Sequence, residues 1–108
     1  MEDHRQHPRV KVNVPVDLRP EGSTMPLRGA TADLSLTGCY IEMRFTFPIG
    51  TKLDLHLELG RTLHLQGTVV TNTPQVGNGI LFSDLEPEDQ KELQSYVEAA
   101  EKAQETSS

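Results

Sequence analysis

The stretch "KLDLHLELGRTLHLQGTVV", residues 52 to 70, decides the fold. Leu53, Leu55, Leu57 and Leu59, then Leu63, Leu65 and Val69, alternate with polar residues on either side of a short break at Gly60-Arg61. A period of two belongs to a strand with one face buried and one in water, whereas a helix brings its apolar residues round every three or four positions. Two such runs so closely linked predict an antiparallel hairpin. Parity restricts the pairing. Leu59 opposite Leu63 keeps leucine against leucine and leaves Gly60, Arg61 and Thr62 as the link. A two-residue Gly60-Arg61 turn sets leucine against polar residues unless a bulge intervenes.

Working outward, "VKVNVPVDL" (10–18) alternates in the same way through Val10, Val12, Val14, Val16 and Leu18. Pro15 points away from that face and suits an edge position or a strand beginning. "RPEGSTMP" (19–26) reads as a loop. A second strand is expected over about 27–34, and a third from "GCYIEM" after Gly38. "FPIG" (47–50) breaks the chain, "NTPQVGNG" (72–79) is a turn region, and "GILF" (79–82) closes the strand set. The tail changes period: Leu93, Tyr96, Val97 and Ala100 recur at helical spacing behind Pro87 and a run of acids, predicting an amphipathic helix over 87–103. The expected fold class is mainly β: a small six-stranded antiparallel β-barrel with a C-terminal α-helix. At 108 residues the chain is expected to be one domain, 1–105. Within it, 1–9 forms a flexible arm, 10–82 the barrel and 87–103 the helix, with 104–108 frayed.

Charge is uneven. The net charge of −6 resides entirely in the segment from Ser83 on, where eight acids face Lys91 and Lys102. Residues 1–82 are balanced, so the extended basic face that DNA or RNA requires is absent, while a small anion held by a few arginines is allowed. The single cysteine, Cys39, cannot form an internal disulfide and is expected to be a small core residue in a reducing compartment. No signal peptide or membrane-spanning run is present in the sequence, and the expected location is cytoplasmic.

Two motifs carry chemistry. In "RQHPR" (5–9), His7 precedes a proline and is biased away from helix. Arg5 and Arg9 then project to the same side of an extended segment, about 13 Å apart. Guanidinium groups fork onto phosphate, pair with guanine O6 and N7, and stack on bases. In "DLSLTG" (33–38), Asp33 and Ser35 share a strand face. A carboxylate can accept the N1–H and N2–H of guanine together, with the serine hydroxyl beside it. Gly38 frees the backbone where the chain turns or a ligand presses on it. Taken singly, the first motif also fits a solvated arm and the second a plain turn.

RxxxR followed by DxSxxG resembles the PilZ domain family, bacterial receptor modules for cyclic di-GMP, and the resemblance runs from Arg5 to the helix near Ala103. "GNGILF" (77–82) is similar to the family's late glycine-hydrophobic strand. The resemblance implies a ligand, cyclic di-GMP, and a site of Arg5, Arg9, Asp33, Ser35, Gly38 and Gly79. The arginines would clamp guanine and phosphate, Asp33 and Ser35 would make polar contacts to guanine, and Gly38 and Gly79 would shape the wall. It implies a stand-alone receptor that orders its arm on binding and passes the signal to a separate effector protein in motility, pilus, exopolysaccharide or biofilm control. Members that take up a stacked ligand dimer often carry an arginine just before the first motif arginine. Here that position is His4, which leaves one or two ligands per domain open. The alternative is a PilZ-like adaptor that binds proteins and no nucleotide. No enzyme is expected: no nucleophile elbow, P-loop or dinucleotide fingerprint occurs. No cofactor or metal is expected either. His56 and His64 would become diagonal neighbours if Leu57 paired with Leu65, but they lie on the polar side of the hairpin.

Overall fold

The computed structural model describes residues 9–106. Six strands, β1 (Pro15–Pro20), β2 (Leu27–Leu34), β3 (Gly38–Glu42), β4 (Lys52–Glu58), β5 (Thr62–Thr73) and β6 (Gly77–Ser83), precede one helix, α1 (Pro87–Thr106). Every neighbouring pair is antiparallel, and the order β1-β2-β3-β6-β5-β4 closes on itself through β1 and β4. Closure leaves no unpaired sheet edge among the described strands.

Alternation fills the interior. Val16, Leu18, Leu53, Leu55, Leu57, Leu63, Leu65, Val69, Ile41 and Ile80 are all buried. Each such side chain contributes on the order of 1.5–3 kcal/mol by leaving water. Leu93 and Val97 of α1 join the same core, with Tyr96 and Ala100 packed beside them. Because β6 feeds α1, the helix lies over the barrel end where β6 finishes. Arg61 of the β4–β5 link reaches Glu92 at 3.5 Å, and Gln104 Nε2 donates to the Lys11 carbonyl at 2.9 Å. The helix runs to Thr106, past the expected end at 103.

Three local expectations are corrected. The run from Val10 to Leu18 is not one strand: β1 begins at Pro15, and Val10 makes an isolated bridge with Leu34. The residues between are held by buried Thr31, whose hydroxyl accepts from Val14 N at 2.9 Å and donates to the Val12 carbonyl. The hairpin register also differs. Leu57, not Leu59, stands opposite Leu63, and Glu58 faces Thr62. The link is still three residues, Leu59 to Arg61, closed by Leu59 N to Arg61 O at 3.0 Å around Gly60 at φ +101°. Parity survives a two-residue slip, so facing was readable and register was not. The same slip sets His56 directly opposite His64, ring centroids 4.1 Å apart.

The loops joining β1 to β2, β3 to β4 and β5 to β6 all emerge at the end away from α1. Backbone bonds tie them together: Met43 N donates to Val76 O at 3.0 Å, and Glu21 N to Lys52 O at 2.9 Å. Buried Asn78 pins the middle loop. Its Oδ1 accepts from Phe47 N at 2.8 Å, and its Nδ2 donates to Phe47 O at 2.9 Å and Thr71 O at 3.0 Å.

Candidate ligand site on the barrel wall

Across four adjacent strands the register aligns Asp33 (β2), Tyr40 (β3), Gly79 (β6) and Thr71 (β5) in one outward row. The row beneath it, Leu34, Cys39, Ile80 and Val69, is buried. A β-bulge flanks the row on each side: the register shifts between Thr31 and Asp33 in β2 and between Val69 and Thr71 in β5. An extra residue re-aims the side chains beyond it. In β2 the bulge lets Thr31 and Leu34 both point inward while Asp33 points out. In β5 it leaves Val70 and Thr71 both exposed.

The Val10–Leu34 bridge is made by reciprocal N–H to carbonyl bonds of 2.9 Å, which lays the base of the arm against the end of β2. Arg9 therefore meets Asp33, its Nη2 donating at 2.8 Å and its Nε at 3.2 Å, both to Oδ1. Among the described residues, Asp33 Oδ2 takes no partner. The pair is partly exposed, 39% and 29% for the two side chains, so it is worth no more than about 1 kcal/mol and is easily rearranged. Arg5 lies outside the described residues.

Ser35 departs from expectation. It sits past the end of β2, buried, and does not share an outward face with Asp33. Its hydroxyl accepts from Thr37 N and Gly38 N, each at 3.2 Å, and its own N–H donates to Gly38 O at 2.8 Å. It thus builds the turn that carries Asp33 into β3. Gly38 has no positive φ; a glycine is needed there because a Cβ would strike the Ile80 backbone carbonyl of β6. At Gly79 a Cβ would meet the Thr71 hydroxyl, which already accepts the Gly79 N–H at 2.9 Å. Tyr40 lays its ring over Gly77, where a Cβ would come within 2.8 Å of the ring edge.

Together these residues line an open hollow of about 360 Å³ bounded by Arg9, Asp33, Gly38, Tyr40, Gly79 and the exposed pair Val70 and Leu81. Of the expected residues, Arg9, Asp33, Gly38 and Gly79 are brought together, with Ser35 beneath them. Tyr40, Val70, Thr71 and Leu81 were missed by sequence reasoning. For Tyr40 a signal existed, since it stands two residues from Gly38 and shares its facing. Cys39 lies under the hollow. Burial, aided by the negative charge of Asp33, pushes its thiol up to about 12, so it stays protonated and unreactive.

A larger hollow, about 490 Å³, lies elsewhere, bounded by Asp54, His56, His64, Gln66 and the acids Asp84, Glu86 and Asp89. Among the described residues no group of three or more His, Cys, Asp or Glu is arranged to hold a metal ion.

The arrangement is thus a closed antiparallel barrel with Arg9 pinned beside an Asp-x-Ser-x-x-Gly turn. The sequence matches the PilZ domain family over residues 3–99, and the chain belongs to it. No curated protein matches the sequence. The fold is similar to the PilZ domain with c-di-GMP of YcgR from Escherichia coli (TM-score 0.76, 16% identity, 97% of this chain and 98% of that one). It also resembles YcgR from Escherichia coli in complex with c-di-GMP (TM-score 0.80, 17% identity, 96% and 49%). A third likeness is to the inhibitor of motility MotI/DgrA of Bacillus subtilis (TM-score 0.68, 19% identity, 89% and 50%). This chain thus spans about half the length of MotI/DgrA and of the longer YcgR chain. At these identities the likeness is one of fold. Among the described residues no helix is long and apolar enough to cross a membrane.

Proposed function

We propose that this chain is a cyclic di-GMP receptor that acts by binding and passes the signal to an effector protein. The observation that carries the reading is the Arg9–Asp33 contact at the rim of the hollow. It places side by side a guanidinium and a carboxylate of which one oxygen takes no partner among the described residues. Guanine presents acceptors, O6 and N7, on one edge and the donors N1–H and N2–H on another, and the phosphates add negative charge for arginine. Arg5, four residues before Arg9, is the second clamp in this reading. Tyr40, Val70 and Leu81 supply apolar surface for a base, and Gly79 keeps the floor between Tyr40 and Thr71 low. Ser35 acts through the turn it builds. The volume falls at the small end of the range of about 300–1,000 Å³ typical of ligand pockets, and one side is open. YcgR from Escherichia coli, which has the same fold, is seen with c-di-GMP both as its PilZ domain and as a longer chain, which supports the choice of nucleotide. Ser35 is committed to its turn and Cys39 is held protonated, so neither offers a nucleophile.

Calorimetric titration with cyclic di-GMP and cyclic di-AMP tests this. The expected result is micromolar or tighter binding of the guanine ligand that weakens with salt, and a preference over adenine that Asp33→Ala reduces. No heat with either nucleotide would reject the receptor and leave the protein-binding adaptor.

A further inference from the structure

We propose that Thr71 is a ligand-binding residue of the hollow on the barrel wall, its hydroxyl donating a hydrogen bond to an acceptor atom of the nucleotide at the end away from Asp33. The inference rests on the receptor reading above and adds to it a residue that neither sequence motif contains.

The local cause is the bulge in β5. Because the register shifts between Val69 and Thr71, Thr71 stands directly opposite Gly79 and is exposed, whereas Val69 is buried opposite Ile80. An extra residue in one strand disrupts the ladder, and here side-chain atoms enter the bonding. The Gly79 N–H donates to Thr71 Oγ1 at 2.9 Å, and the Thr71 carbonyl accepts from Asn78 Nδ2 at 3.0 Å. Both polar groups of the threonine are thereby held in place.

A threonine hydroxyl has one proton and two lone pairs. The Gly79 N–H takes one lone pair, so the proton points away from Gly79. Among the described residues that proton meets no acceptor. Glycine at 79 keeps the oxygen open, since a Cβ there would strike it.

The surroundings give this hydroxyl its task. β5 and β6 bring Val70, Thr71, Gly79, Ile80 and Leu81 to the hollow, and of these Thr71 alone has a polar side chain. Arg9, Asp33, Thr37 and Tyr40 crowd the opposite half. A ligand resting on exposed Val70 and Leu81 gives up water on that side, and Thr71 carries the hydroxyl able to take its place. The outward row from Asp33 through Tyr40 and Gly79 to Thr71 spans three inter-strand steps, about 14 Å along the sheet and less across its curve. That is the scale of one nucleotide with a hydrogen bond at each end. A guanine that turns N1–H and N2–H to Asp33 turns N7 the other way, and the sugar and phosphate leave from the same far side. Both N7 and a phosphate oxygen are acceptors that a hydroxyl proton can meet.

Calorimetric titration with cyclic di-GMP and its 7-deaza analogue, in which a C–H group replaces N7 of each guanine, tests the proposal. Thr71→Val keeps the shape of the side chain and removes the hydroxyl. It should weaken binding of cyclic di-GMP about three- to tenfold, the worth of one hydrogen bond, and Thr71→Ser should stay within about twofold of wild type. With N7 as the acceptor, wild type loses as much with the analogue as Thr71→Val loses with cyclic di-GMP, and the variant loses nothing further. With a phosphate oxygen as the acceptor, Thr71→Val weakens both ligands equally. Circular dichroism checks folding, and Thr71→Ala serves if Thr71→Val does not fold. Undiminished binding by the variant without the hydroxyl overturns the proposal and leaves the receptor reading standing. An equal loss in Thr71→Ser also overturns it, because the residue then acts through the bulge and not through its hydroxyl. No binding of cyclic di-GMP by folded wild type defeats the receptor reading, and the Thr71 assignment with it.

Discussion

Two walls of the same barrel contrast sharply. Along β4 and β5 the ladder from Lys52–Thr68 to Glu58–Thr62 is unbroken, and its outer residues satisfy one another. Gln66 reaches Asp54 at 3.4 Å, Thr62 reaches Glu58 at 2.9 Å, and the two histidine rings lie against each other at a tilt of 35°. The wall formed by β2, β3, β6 and the far half of β5 is broken twice by bulges, is thinned by Gly38, Gly77 and Gly79, and bears an arginine from outside the sheet. The regular wall has the larger hollow. Size is therefore the wrong guide: a regular ladder with polar outer residues is what a solvated face produces by default. Departures from regularity cost stability and mark the wall that has another task.

Substitutions on the two walls should separate stability from binding. The largest effect expected is Leu55→Ala, on the regular wall, which removes a fully buried side chain and should cost about 2–5 kcal/mol in urea denaturation. Affinity for nucleotide per folded molecule should not change, and a matching loss of affinity would show that the walls are not separable. Arg9→Ala should behave oppositely. Binding of cyclic di-GMP should fall by about 1–3 kcal/mol, whereas stability should change by less than about 1 kcal/mol because the ion pair is exposed. Unchanged affinity would remove the arm from the site.

Two of the glycines of the irregular wall, Gly38 and Gly79, sharpen the contrast. Gly38→Ala drives a methyl into the backbone of Ile80, which cannot rotate away, and should cost about 1–3 kcal/mol of stability. Gly79→Ala meets a threonine hydroxyl that can turn aside. It should cost less than about 1 kcal/mol of stability and appear in calorimetry as weaker binding. If Gly79→Ala binds normally, the floor does not touch the ligand. The smallest effect belongs to His56→Gln, with stability and affinity within about 0.5 kcal/mol of wild type. A larger drop in affinity would transfer the site to the regular wall.

What sequence could reveal follows from what strands encode. Alternation states which way each side chain faces, so the core of leucines and valines, the strand of residues 27–34 and the helix behind Pro87 were all legible. Register is set by turn geometry, and nothing in "ELGRT" says that the link starts at Leu59 and not at Gly60. The bulges were illegible for a similar reason. "TADLS" and "VVTN" read as continuous strand, and the extra residue becomes evident only against a partner. That is why Ser35 was expected beside Asp33, and why Val70 and Thr71 went unnoticed. Arg9 and Asp33 were legible because their chemistry is tied to residue type. "FPIG" was read only as a break, since single-chain periodicity cannot show that three loops share one pole.

Asn78 lies between Gly77 and Gly79 in β6, yet its amide grips Phe47 in the loop at the barrel's open end. The strand that floors the hollow beside Arg9 and Asp33 is thereby bolted to the loop that holds Phe45 and Ile49. The angle at which those tips face outward is indexed to β6, through the short, buried side chain of Asn78, which leaves little slack to absorb a displacement.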